Sequence, residues 1–79
     1  MYGLGKATYA EAMEAGRKWV GKGFRTSRRE GGSILISADG KRQFRIPKYK
    51  EKLNKYQANF ESRNSNSGQW SNNGHLNIE

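Results

Sequence analysis

A carboxylate, an arginine and the only histidine of the chain recur at alternating positions of stretches that read as β-strands. In residues 56–63, Tyr-Gln-Ala-Asn-Phe-Glu-Ser-Arg, the side chains of Tyr56, Ala58 and Phe60 point one way. Those of Gln57, Asn59, Glu61 and Arg63 point the other. The same alternation in the flanking stretches adds Gln43 and Arg45, then His75 and Asn77, to the polar side. Metal-free cleavage of a phosphodiester by a neighbouring 2′-hydroxyl needs such a set. A base takes the hydroxyl proton, a cation stabilises the phosphorane charge, and an acid protonates the leaving oxygen, which ends the product in a 2′,3′-cyclic phosphate. Histidine, with an ordinary pKa of about 6.5, is the natural proton donor or acceptor at neutral pH. One histidine excludes a two-histidine mechanism, so its partner is Glu61 or a lysine.

The competing account is that a sheet covered by one helix leaves a wet face, and wet faces carry polar residues. Taken alone, Glu61 fits that account better. His75, preceded by Asn72-Asn73-Gly74 rather than by lysines and threonines, fits the catalytic one better.

Composition narrows the choice. The 79 residues read as one domain with a small core, since a chain this short buries only about 60% of its unfolded surface. Fifteen Lys and Arg against seven Asp and Glu give a net charge of +8, a field that attracts polyanions, nucleic acid first among them. Solubility is the plainer use of such charge. With no cysteine and one histidine, neither a disulfide nor a structural zinc site is expected, and no metal or other cofactor is assigned. No apolar run has membrane-spanning length, and no signal peptide is visible.

The elements that must hold the polar set follow in order. Residues 1–7 are glycine-rich and read as loosely ordered. Thr8 opens a helix with a capping box to Glu11, and Gly21 and Gly23 stop it. Its apolar stripe is Tyr9, Ala12, Met13, Gly16 and Val20, with Trp19 at the margin. Residues 22–32 read as a basic, glycine-bracketed loop, either a phosphate-gripping flap carrying Lys22, Arg25, Arg28 and Arg29 or a solvated connection, and the glycines favour the first. Residues 33–37 and 42–46 form a hairpin. A three-residue loop with left-handed Gly40 pairs Ile36 with Arg42 and gathers Ile34, Ile36, Phe44 and Ile46 on the core face. That choice leaves Leu35 outward. Pro47 ends the strand, and residues 48–55 read as a helical turn with Tyr49 and Leu53 docked inward. Its lysines, Lys48 among them, are phosphate contacts or a solvated crossover. After 56–63, a turn centred on Asn66 leads into a return strand, 69–78, that pairs Glu61 with Ser71 and Gln57 with His75. It carries Trp70 on the core face and a bulge near 72–74. The fold class expected is therefore α+β, one N-terminal helix on a four-stranded antiparallel sheet in the order α-β-β-β-β.

Four stretches together resemble a known group. Gly16-Arg-Lys-Trp-Val-Gly-Lys-Gly, Ser37-Ala-Asp-Gly-Lys-Arg-Gln-Phe-Arg45, Tyr56-Gln-Ala-Asn-Phe-Glu61 and Asn73-Gly-His-Leu-Asn-Ile78 are similar to the C-terminal toxin domains of bacterial polymorphic and contact-dependent inhibition toxins. Many of these are ribonucleases of the barnase–colicin–messenger-interferase type, built as a helix on an antiparallel sheet and often cutting transfer RNA. The resemblance implies that the chain is the end of a secreted or cell-surface protein, acts in the cytoplasm of a target cell, and is neutralised by a dedicated immunity protein, which the charge predicts to be acidic. The barnase pattern of Glu, Arg and a late His falls on Glu61, Arg45 and His75, although the helical part here is shorter.

These readings converge on a monomeric endoribonuclease with Glu61, Arg45 and His75 catalytic. Lys22, Arg25, Gln43, Lys48, Gln57, Asn59 and Asn77 are expected to bind RNA. A non-catalytic nucleic-acid-binding module and a domain that answers an acidic protein are the alternatives.

Overall fold

A computed structural model describes residues 2–29, 32–65 and 68–79. In chain order the elements are β1 (Tyr2–Ala7), α1 (Tyr9–Val20), β2 (Arg25–Arg29), β3 (Gly32–Ile36), β4 (Arg42–Lys50), a 3-10 turn (Glu51–Leu53), β5 (Lys55–Ser62) and β6 (Asn72–Ile78). The strands form one sheet in the order β1-β6-β5-β4-β3-β2. All neighbours are antiparallel except β1, which runs parallel to β6. The α+β class stands, with six strands in a mixed sheet in place of four antiparallel ones.

The helix forms where its cap dictates. Thr8 Oγ1 accepts from the Glu11 amide at 3.1 Å, and Glu11 Oε1 accepts from the Thr8 amide at 2.9 Å. These bonds hold the exposed Glu11 carboxyl below its usual range, the Thr8 backbone bond contributing most. Ala12, Gly16 and Val20 face the sheet, while Tyr9 stands 54% exposed rather than on the buried stripe. Gly16 sits so close to Phe44 that a Cβ there would lie 2.3 Å from the ring. The core is Ala12, Val20, Leu35, Phe44, Ala58 and Leu76, all on the helix side of the sheet. The other face has no helix over it.

Both edge strands escaped the sequence. Residues 2–7 of the stretch expected to be loosely ordered pair beside β6, with Gly3 opposite His75 and Lys6 opposite Asn77. A glycine-rich segment carries no local signal for such a partner. Within the expected basic loop, residues 25–29 pair with β3, Ser27 opposite Ile34. This strand lacks apolar alternation because it is a charged, exposed edge, a form that discourages further strand pairing.

The β3–β4 hairpin is shifted by one residue from the expected register, with Ile36 opposite Gln43 in place of Arg42. Leu35 pairs with Phe44 on the core side, and Ile34 and Ile36 lie opposite Arg45 and Gln43 on the open face. The turn decides this. Buried Ser37 Oγ donates to Asp39 Oδ1 at 2.6 Å and accepts from the Arg42 amide at 3.0 Å, while the Ser37 amide donates to the Arg42 carbonyl oxygen. Those bonds close the loop at Ser37–Arg42, with Gly40 at φ 73°. Side-chain chemistry in the turn outweighs the apolar parity of two isoleucines, and Leu35 takes the core position instead.

Pro47 does not end β4. It sits in a bulge between Arg45 and Lys48, and pairing resumes as Lys48–Gln57 and Tyr49–Tyr56. The helical turn shrinks to Glu51–Leu53, and Tyr49 and Leu53 are 42% and 50% exposed, not docked inward. On β6 the pairing is two residues further along than expected, with Glu61 opposite Asn73, Asn59 opposite His75 and Gln57 opposite Asn77. A two-residue shift preserves parity, so His75 stays on the polar face. No bulge interrupts Asn72–Ile78, and Trp70 lies before the strand beneath the Arg63 guanidinium, 4.1 Å away. The expected turn centre, Asn66, falls outside the described residues.

Candidate functional site

Directly opposed residues share a face, so the pairings lay out the uncovered side as rows across the strands. One row is Arg25, Ile36, Gln43, Glu61 and Asn73. The next is Ser27, Ile34, Arg45, Asn59 and His75. A third brings together Lys48, Gln57, Asn77 and Lys6. All three proposed catalytic residues and most of the proposed binding ones therefore meet on one face. Two residues do not join it. Lys22 lies past the end of α1 and lines a cavity with residues of the Ser37–Asp39 turn. Arg63 donates to the carbonyl oxygens of Gly40 and Gly68, which fixes it between two loops.

The polar residues of β4 and β5 are not solvent decoration. Gln43, Gln57, Asn59 and Glu61 are buried, although no helix covers them. A buried polar group is tolerated where it is bonded, and each of these is. Glu61 Oε1 accepts from Gln43 Nε2 at 2.8 Å and from Arg45 Nε at 2.6 Å. The remaining oxygen, Oε2, accepts nothing among the described residues. From the helix side, Trp19 Nε1 donates to the carbonyl oxygens of Gln43 and Glu61, which pins these two strands beneath the pair.

His75 is held by a second chain of bonds. Gln57 Nε2 donates to Asn77 Oδ1 at 2.8 Å, which turns Gln57 Oε1 toward His75 Nδ1, 3.0 Å away. An amide oxygen only accepts, so Nδ1 carries a proton. On the ring's other side Nε2 lies 3.4 Å from Asn59 Nδ2, a donor that is also bound to Asn73 Oδ1 at 3.1 Å. The partners thus assign the Nδ1–H tautomer, in which Nε2 is the unprotonated nitrogen and faces the Asn59 amide.

Glu61 and His75 are diagonal neighbours on adjacent strands, a separation of about 7–8 Å in sheet geometry. Asn59 and Arg45 lie between and beside them. A carboxylate, a cation and an imidazole can therefore bracket one phosphodiester. Among the described residues no three His, Cys, Asp or Glu side chains are placed to hold a metal ion. No helix there is long and apolar enough to cross a membrane.

Sequence reasoning named Arg29 and Lys50 only as members of basic stretches, without placing them on this face, and it gave Asn73 no role there. Arg29 shares the alternation of Arg25 and Ser27, a signal that was present but lay in an apparent loop. Lys50 could be placed only by knowing of the bulge at Pro47. In comparisons with protein-family models, with curated proteins and with solved structures, none matches the chain.

Proposed function

We propose that the protein is a metal-independent endoribonuclease whose site is the row Arg45, Asn59 and His75 with Glu61 beside it. The observation that supports it is the bonding of the single histidine. A buried glutamine fixes Nδ1, and Nε2 is presented on the face that also carries the Arg45–Glu61 pair. In this reading Glu61 takes the 2′-hydroxyl proton through Oε2, the oxygen that neither Gln43 nor Arg45 uses. The Arg45 guanidinium stabilises the negative charge on the phosphorane oxygens, and Asn59 holds the His75 ring in place. His75, protonated at Nε2, gives its proton to the departing 5′-oxygen, and the product retains a 2′,3′-cyclic phosphate. The net charge of +8 supplies attraction for RNA.

The motif resemblance extends the proposal to a toxin domain that acts on transfer RNA in a target cell and is held inactive by an acidic immunity protein over this face. Such a partner blocks substrate and meets the positive field with a complementary one.

The test is incubation of the purified protein with total RNA and a chelator, followed by mapping of the cut ends. Discrete fragments ending in 2′,3′-cyclic phosphate, absent with His75→Ala, are expected. RNA bound but uncut makes the face a binding module. RNA neither bound nor cut makes the charge a match for an acidic protein.

A further inference from the structure

The bulge at Pro47 has an effect on charge. Without it, alternation along β4 from Arg45 would send Lys48 and Lys50 to the helix side. With it, both join Arg45 on the open face, paired with Gln57 and Lys55, while Tyr49 takes the other side. There they meet Arg29 of the edge strand around a cavity of about 110 Å³ between β4 and the β2–β3 hairpin. Gln57 and Asn59, each 7% exposed, contribute to its wall.

Among the described residues, four cations and no carboxylate border this cavity. The only ion pairs among the described residues are Lys18–Glu14 and Arg45–Glu61, so Arg29, Lys48 and Lys50 face one another with no acid paired to them among those residues. Like charges gathered in this way oppose folding, and an anion seated among them would relieve the repulsion. Arg29 is oriented by donation from Nε to Ser27 Oγ at 3.0 Å. Gln57 touches both sites, since its Oε1 holds His75 while its side chain borders the cavity.

We propose that this cavity is a second phosphate subsite. It seats the backbone phosphate next to the scissile one, so that the RNA strand crosses the sheet from β6 toward β2. The proposal rests on the reading of the face as an RNA site and adds the path of the strand across the sheet. Arg29 and Lys50 act here as binding residues for the neighbouring phosphate, not as catalytic residues.

Two measurements separate this proposal from the reading beneath it. The first compares a dinucleoside monophosphate with the same molecule carrying one more phosphate, at its 5′ end or at its 3′ end. One of the two additions is expected to lower KM about tenfold, the size of one charge-assisted hydrogen bond. Arg29→Ala/Lys50→Ala should bring the ratio of the two KM values to about one. Cleavage of RNA with no KM difference between these substrates overturns the subsite and leaves the ribonuclease reading intact. The second titrates inorganic phosphate into the protein while backbone amide shifts are followed. Shifts at Arg29, Lys48 and Gln57 that vanish in the double variant are expected, even from a protein that cuts no RNA. Shifts spread evenly over all the lysines and arginines overturn the proposal. Relief of repulsion predicts that the double variant melts no lower than the parent, so lost binding will not be confused with unfolding.

Discussion

Arg45 donates from Nε to Glu61 Oε1 at 2.6 Å, and the two side chains differ sharply in exposure, 50% for Arg45 and 8% for Glu61. The carboxylate is the fixed end of the pair, anchored also by Gln43, and the guanidinium projects from it toward solvent. Glu61→Ala would take from buried Gln43 Nε2 its only acceptor among the described residues and release Arg45. Because Arg45 can rehydrate, the cost should be that of one unsatisfied buried group, about 1–3 kcal/mol, and not that of a fully buried broken ion pair. Chemical denaturation measures it. A variant as stable as the parent would mean that the pair does not organise the face.

His75→Ala should separate folding from chemistry. The ring is half-buried, and its removal leaves Gln57 Oε1 without its donor, which should cost about 1 kcal/mol. RNA cleavage should fall about 10²–10⁴-fold, the usual worth of general acid–base help. Cleavage at the parent rate would remove His75 from the mechanism.

The turn after β3 predicts a response to acid. Asp39 accepts from the Ser37 hydroxyl and the Lys41 amide, and these bonds hold its carboxyl below the ordinary value of 3.8, the Ser37 bond contributing most. A depressed folded-state pKa gives stability that is complete above the unfolded value and lost as pH falls through the folded one. The melting-temperature gap between the parent and Asp39→Ala should therefore be full at pH 5 and shrink toward pH 3. A gap independent of pH would show that the charge of Asp39 has no part in closing the turn.

Gly16→Ala tests the approach of helix and sheet. Alanine improves helix propensity by about 1 kcal/mol, but its Cβ would fall 2.3 Å from the fully buried Phe44 ring. That ring is packed against Phe60 at 4.9 Å and cannot retreat freely. Overpacking of this kind costs about 1–3 kcal/mol, so a net loss is expected in thermal or denaturant melts. A stabilised variant would place the helix further from the sheet.

What was legible in the chain was local. The Thr8–Glu11 box fixes the start of α1 by bonds three residues apart, and residues 55–62 alternate cleanly because one side of that strand is core. His75 kept its face despite the wrong pairing, since a slip of two residues leaves parity unchanged. What stayed hidden depends on partners far along the chain or on backbone geometry. β1 and β2 are strands only because β6 and β3 lie beside them. The hairpin register follows from Ser37 and Asp39 side-chain bonds that compete with an apolar pattern favouring another answer. Burial of Gln57, Asn59 and Glu61 cannot be read from alternation, which reports a side and not a depth.

The placement of charge finally predicts how RNA binding should respond to salt. Each phosphate neutralised on a single strand releases counterions and adds about 0.7 to the slope of log affinity against log salt. The cations of the open face, Lys48 foremost, lie where the proposed substrate runs. Lys18, on the far side of the molecule, is paired with Glu14 at 3.4 Å on the helix. In a His75→Ala background, which prevents turnover, affinity for a short single-stranded RNA should fall steeply with salt. Replacing Lys48 by alanine should reduce the slope by about 0.7, while Lys18→Ala should leave it nearly unchanged. Both alter net charge by one unit, so a general field effect would move the two slopes alike. Equal changes would show that the RNA is drawn by the charge of the whole molecule and not seated on this face. A flat dependence in the His75→Ala background itself would remove nucleic acid as the partner.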